Sequence, residues 1–380
     1  MKKVPIPMFK RLFTAAVVVL LINATILIVH QSLLSKTYAQ TTIMATKTKK
    51  VTLIADEKIL QLAPSNALFP GGVLYKAMTF NGTIPGPVIA LDQGERLQIT
   101  LKNEGHMVHS LELHAADGPS RAISGVVNRG ESKTWTMNAD TAGVFMYHCD
   151  GDNLNGIWEH IADGMYGGIV VHSPFEKPAK EFYMVFGEIY NSADQGLFVG
   201  TKGQIGSFDL NKFLANKPDL VLTNGMAFKY FSSIGSVAKI EINKNATFFK
   251  VKPGELTRWY IVNAGPRGYV AFNFAGGMIN LNSGSVNNSE RTNSTEYGTQ
   301  LKTYETTGIA PGNGVVIETV FPEQGVYVGN DHDIGRFMIG AGFVVIATNN
   351  STNTDFPPGT WVPPKSSNFV SGSQYAMAIK

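Results

Sequence analysis

Beyond residue 50 the apolar positions fall in short runs rich in Val, Ile, Phe and Tyr, each bounded by Gly, Pro, Asn or Asp. Val51–Ile54, Val88–Leu91, Arg96–Leu101, Ser132–Met137, Phe182–Phe186, Phe248–Val251 and Gly314–Val320 read as strands. No stretch of twelve or more residues keeps a helical period, and Asp209–Ala215 is the one short helix expected. With 39 glycines and 18 prolines spread along 380 residues, turns are frequent. The pattern predicts an all-β chain built of sandwiches.

An internal repeat organises these strands. Asn81-Gly82, Gly94-Glu95 and Asn103-x-Gly105 recur in order as Asn224-Gly225, Gly254-Glu255 and Asn263-x-Gly265. Gly94 to Asn103 and Gly254 to Asn263 both span nine residues, and Gly130 to Gly143 and Gly312 to Gly325 both span thirteen. Gly143-Val-Phe-Met-Tyr then matches Gly325-Val-Tyr-Val-Gly. Four matches in order and in register argue for duplication. The expected organisation is a first domain at 50–173, a linker at 174–180, a second domain at 181–348 and a Ser/Asn/Pro-rich tail at 349–380.

The N-terminus has a different grammar. Lys2, Lys3, Lys10 and Arg11 precede an apolar run of 18 residues, Leu12 to Val29, and small residues follow. Residues 1–39 therefore read as a signal peptide or an N-terminal membrane anchor, and the protein as exported, to an extracellular or pseudoperiplasmic space. Asn-x-Ser/Thr sequons at Asn81, Asn245, Asn287, Asn293, Asn349 and Asn350 give mild support to an outer-surface location. This segment also carries five basic groups and no acid, so the formal charge of +3 turns slightly negative in the remainder. That excludes a polybasic nucleic-acid binder. The single cysteine, Cys149, excludes a disulfide framework, a four-cysteine zinc site and an iron–sulfur cluster.

Five of the eight histidines fall between His106 and His160, together with Cys149. The spacing is His109-x4-His114, then His148-Cys149, then His160-x4-Met165. Two histidines, a cysteine and a weak axial methionine are the donors that hold a type 1 copper. Strand alternation locates a second site, because adjacent residues and residues five apart point to opposite faces. If Cys149 and His109 point inward, His148 and His114 point outward and can hold a second metal. The Cys149–His148 peptide then joins the two sites through bonds. Glu112, three residues from His109, shares the outward face and can serve as proton donor or water positioner.

These residues resemble the two-domain copper-containing nitrite reductases. The resemblance runs from about Val51 to Thr348 and includes Phe80-Asn81-Gly82-x3-Gly86-Pro87, Gly143-x-Phe-x-Tyr-His-Cys149 and Gly325-Val-Tyr-x4-His332. Among relatives the look is nearest to the secreted forms of ammonia-oxidising archaea. The resemblance implies two tandem cupredoxin-like Greek-key domains and two coppers per subunit. It assigns the type 1 ligands to His109, Cys149, His160 and Met165. The type 2 ligands would be His114 and His148, with His332 from another subunit of a homotrimer. Glu112 takes the place of the family's catalytic aspartate.

Three departures stand out. Glu replaces Asp at 112, ten residues separate Cys149 from His160, and Met278 stands where the family's second relay histidine lies. The expected activity is reduction of nitrite to nitric oxide, with electrons from an external donor such as a small cupredoxin or a cytochrome. A copper enzyme acting on hydroxylamine or nitric oxide, and a type 1 electron carrier without catalysis, are the alternatives. An oxygen-reducing trinuclear cluster is excluded, because the chain has no His-x-His pair and only eight histidines.

Overall fold

The computed structural model describes residues 47–349 apart from 66–68, 70, 117–124, 153–154, 194–203, 232–233, 236–238, 241–247, 276–278 and 283–302. The N-terminal segment, the tail beyond Asn349, Met278 and the sequons at Asn245, Asn287, Asn293 and Asn350 lie outside the described residues. No helix among the described residues is long and apolar enough to cross a membrane.

The fold is predominantly β, with two pairs of facing sheets consistent with tandem cupredoxin-like sandwiches. In the first, Thr48–Ala63 lies between Val73–Phe80 and Arg96–Asn103, with Ser132–Asn138 beyond. Ile205–Gly206, far along the chain, adds a parallel edge strand beside Val73–Phe80. The opposing sheet runs Ile89–Asp92, Tyr166–His172, Gly143–His148, Glu112–Leu113. In the second pair, Lys180–Ile189 and Leu256–Asn263 pair in parallel, as Thr48–Ala63 and Arg96–Asn103 do. Its facing sheet is centred on Gly342–Ala347 and Gly325–Asp331.

The repeat is visible atom by atom. Asn81 and Asn224 both adopt left-handed backbone (φ 57° and 49°), and each side chain accepts a hydrogen bond from a strand N–H, of Ile54 at 2.6 Å and Val185 at 2.8 Å. Such a conformation is tolerated by Asn far better than by branched residues. Asn103 and Asn263 also match, each accepting a 3.0 Å bond from the N–H two residues on, of Gly105 and Gly265.

Alternation fills the cores. Leu53, Leu97, Ile99, Leu101, Ile169 and Val171 pack with Cys149 and Met165 in the first sandwich. The second core is aromatic, with Trp259 stacked on Phe182 at 4.3 Å and ringed by Phe249, Phe274 and Phe343. A third apolar cluster joins the two halves. Val144 and Met146, on the outer face of Gly143–His148, pack with Tyr260, Val262 and Val316 of the second half. Gly314 permits this approach, since a Cβ there would overlap the Val144 carbonyl. An outward-pointing residue on that strand is therefore not solvent-exposed.

Candidate metal centres

Cys149 follows the last residue of Gly143–His148 and is fully buried. Its N–H donates to the Met165 carbonyl at 3.1 Å, which ties the strand end to the loop before Tyr166–His172. Backbone N–H groups of Ser110 and Gly151 lie 3.2 and 3.3 Å from Sγ. His109 is held by paired backbone bonds to Val127, and His160 sits on the short helix Ile157–Ala162. Their Nδ1 atoms lie 3.7 and 3.3 Å from Sγ. A trigonal metal with bonds near 2.0 Å to nitrogen and 2.3 Å to sulfur spaces its donors about 3.7 Å apart. The geometry fits one small, soft ion. Met165 is fully buried in the same core.

Burial pushes the Cys149 thiol up to about 11 and the His160 imidazole down to about 4, and it lowers His109 as well. The copper-free site therefore holds a neutral thiol and neutral imidazoles, and metal binding releases the thiol proton. Beyond them lies Glu57. Burial opposes its charge, yet the N–H groups of His106 and Met107 hold its carboxyl down at about 2. Its Oε1 is 3.4 Å from His109 Nε2.

The second cluster lies on the other face of the same strand. Glu112 pairs directly with His148 across the two strands, so their side chains share a face. Glu112 Oε2 is 3.6 Å from His148 Nε2, and His114 Nε2 is 2.9 Å from the same atom. His114 Nδ1 sits 3.2 Å from the Gly312 carbonyl, and His148 Nδ1 3.2 Å from the Cys149 carbonyl. A carbonyl accepts only, so both Nδ1 atoms carry the proton and both Nε2 atoms present lone pairs. Two lone pairs at 2.9 Å repel unless a cation lies between them. A metal with bonds near 2.0 Å satisfies both. Burial pushes His148 down to about 4, and His114 beside it adds to the effect.

The structure thus brings together His109, Cys149 and His160 in one triad and Glu112, His114 and His148 in another, the donor atoms of each within 4.8 Å. These are candidate type 1 and type 2 copper sites. His332 is exposed, follows Gly325–Asp331 and, among the described residues, joins neither triad. His148 is outward of its sheet, as alternation predicts, but buried by the second half.

Two groups escaped the sequence reading. Asp150 is fully buried with Oδ1 3.3 Å from His148 Nδ1, and neither carboxylate oxygen has a hydrogen bond of standard geometry among the described residues. Burial pushes it up to about 8, and the neighbouring Glu112 carboxyl adds to this. The signal was there, because residues two apart on a strand share a face and Asp150 is two from His148. Glu57 left no such signal. A third cluster, His172, Glu176 and Glu181, already holds its cation, with Arg258 Nη1 2.7 Å from Glu181 and 3.4 Å from Glu176.

The multicopper oxidase family matches residues 61–176, which contain both triads. The copper-containing nitrite reductase of Neisseria gonorrhoeae is 29% identical over 275 residues, covering 70% of this chain and 61% of that protein. That of Rhizobium sullae is 32% identical over 174 residues, 43% of each chain. The chain thus spans about 61% of the length of the Neisseria relative. Among solved structures, the copper nitrite reductase of Nitrosomonas europaea superposes with a TM-score of 0.63 at 28% identity, covering 80% of this chain and 96% of that one. A multicopper oxidase at 21% identity and TM-score 0.59 shares the fold. Fold, donor clusters and likenesses together make the chain similar to the copper-containing nitrite reductases, on a fold consistent with tandem cupredoxin-like sandwiches.

Proposed function

We propose that the protein is a copper-dependent oxidoreductase that reduces nitrite by one electron to nitric oxide. The observation that carries this is the adjacency of the two triads. Cys149 belongs to one and His148 to the other, so one peptide unit links a buried thiolate site to a pair of facing imidazoles with a carboxyl beside them. Bound copper, two ions per subunit, would supply the one-electron chemistry that these side chains lack.

His109, Cys149, His160 and Met165 would hold the type 1 ion, shielded from water. His114 and His148 would hold the type 2 ion, with His332 of a neighbouring subunit completing the set in a homotrimer. That His332 is exposed and apart from His114 and His148 within one chain supports an intersubunit role. Electrons come from an external donor such as a small cupredoxin or a cytochrome. Glu112 delivers a proton to a nitrite oxygen. Nitrite takes up one electron and two protons, one N–O bond breaks, and nitric oxide and water leave.

On the sequence alone we also propose two domains at 50–173 and 181–348, residues 1–39 as a signal peptide or an N-terminal membrane anchor that directs export, and kinship with the secreted enzymes of ammonia-oxidising archaea. Met278 in place of the family's relay histidine favours a second reading, in which the same centres act on hydroxylamine or nitric oxide.

The test is nitric oxide production by the copper-loaded protein from nitrite and an artificial donor. Glu112→Gln should keep both coppers and lower turnover by about 10²–10⁴-fold, the usual contribution of a general acid. Turnover unchanged in that variant removes Glu112 from the reaction. Turnover of hydroxylamine but not nitrite by the wild type favours the second reading.

A further inference from the structure

The repeat shows what has become of the copper cavity in the second half. Asn103 pairs with Ala55 across parallel strands, and Asn263 pairs with Phe186 in the same way. Two residues beyond those partners stand Glu57 and Glu188. Each carboxylate is gripped by the loop after its asparagine. Glu57 accepts from the N–H groups of His106 (2.9 Å) and Met107 (3.1 Å), and Glu188 from that of Arg267 (3.1 Å). Each loop is braced by the amide of its asparagine, which donates to Met107 and Val127 carbonyls in one half and to Gly268 and Ile309 carbonyls in the other. Each is glycine where the carboxylate passes. A Cβ on Gly105 would lie 2.8 Å from Glu57 Oε1, and one on Gly265 3.0 Å from the Glu188 carboxyl carbon.

What the carboxylate faces differs. In the second half Glu188 pairs with the Arg336 guanidinium, whose Nε is 2.7 Å from Asp331. Asp331 stands six residues after Gly325, as Cys149 stands six after Gly143. Arg336 lies on the helix Ile334–Met338 that follows, as His160 lies on Ile157–Ala162. A fixed cation thus fills the space between the carboxylate and the cysteine-equivalent residue. In the first half the same space is bounded by Glu57, His109, Cys149 and His160, and among the described residues no Lys or Arg pairs with Glu57.

We propose that Glu57 is a positioning residue of the type 1 centre: its carboxylate, 3.4 Å from the buried and otherwise unpartnered Nε2 of His109, holds that imidazole with Nδ1 towards the metal and supplies the anion that a bound cupric ion meets in place of Arg336. This rests on the copper reading of the first triad. A carboxylate on the remote nitrogen of a ligating imidazole raises the ligand's basicity, and losing such a partner typically costs about 10–100-fold in metal affinity. Removing the charge should weaken Cu(II) binding more than Cu(I) binding.

Glu57→Gln is the direct test, because the amide oxygen still accepts from the His106 and Met107 N–H groups while the charge is gone. In the copper-loaded full chain the thiolate-to-copper absorption should persist and the reduction potential should rise, by about 59 mV for each tenfold loss of Cu(II) relative to Cu(I) affinity. Gly105→Ala displaces the carboxylate by contact and should move the potential the same way, which covers a Gln variant that fails to fold. A potential unchanged or lowered in either folded variant overturns the proposal. A wild-type protein that never develops the absorption overturns the copper reading instead, and the two failures are distinguishable.

Discussion

At the scale of single residues, one strand end contributes to both donor clusters because successive side chains point opposite ways. Cys149 enters the apolar core, and His148 and Asp150 lie on the other side beside Glu112. Asp150 carries a pH signature. Its carboxyl is pushed up to about 8 from the usual 3.8, by burial and then by Glu112. A folded-state value above the unfolded one means that its stabilising contribution is complete below pH ~4 and is lost as pH rises through about 8. In the copper-free protein, the stability of the wild type relative to Asp150→Asn should therefore fall by about 1.4 kcal/mol per pH unit across that window. Urea midpoints at several pH values measure this. A constant gap between the two proteins would show that Asp150 does not titrate so.

At the scale of elements, the loop from His160 to Met165 is set by a close approach. Gly164 has φ 108°, and a Cβ there would overlap the Ile84 side chain. Gly164→Ala should cost about 1–3 kcal/mol or more, from strain and overpacking together. Chemical denaturation checks the loss, and the type 1 absorption band should shift because the same loop carries His160 and Met165. Period-two patterning exposed most of the scaffold. Gly314–Val320 matches residue for residue, and Val51–Ile54 and Phe182–Phe186 lie inside the longer strands Thr48–Ala63 and Lys180–Ile189. The helix Leu210–Leu214, with Asp209 capping the Lys212 N–H at 3.0 Å, was legible from its cap and short apolar face. Ile157–Ala162 and Ile334–Met338 were not, since five or six residues cannot display a helical period. The two-residue strand Glu112–Leu113 is likewise too short for alternation to declare, although its face followed from His109 and His114. Glu57 stayed hidden because its contact with His109 joins strands 52 positions apart in sequence, which no local pattern encodes.

At the scale of the whole molecule, the second half covers the outer face of Gly143–His148, shielding His148 and bringing the Gly312 carbonyl to His114. It kept its own cavity but filled it with the Glu188–Arg336–Asp331 ion pairs. Its other contribution under the proposed assembly is His332. His332→Ala should lose about one copper per chain and leave the thiolate absorption intact. Loss of that absorption instead would tie His332 to the first triad. Under the proposed function the chain binds two coppers, at two different centres joined through Cys149 and His148. Copper content per chain in the fully loaded protein and in Cys149→Ala tests it most directly. Two ions are expected in the wild type and one in the variant, with the visible band gone. One ion in the wild type, or a visible band that survives without Cys149, would contradict it.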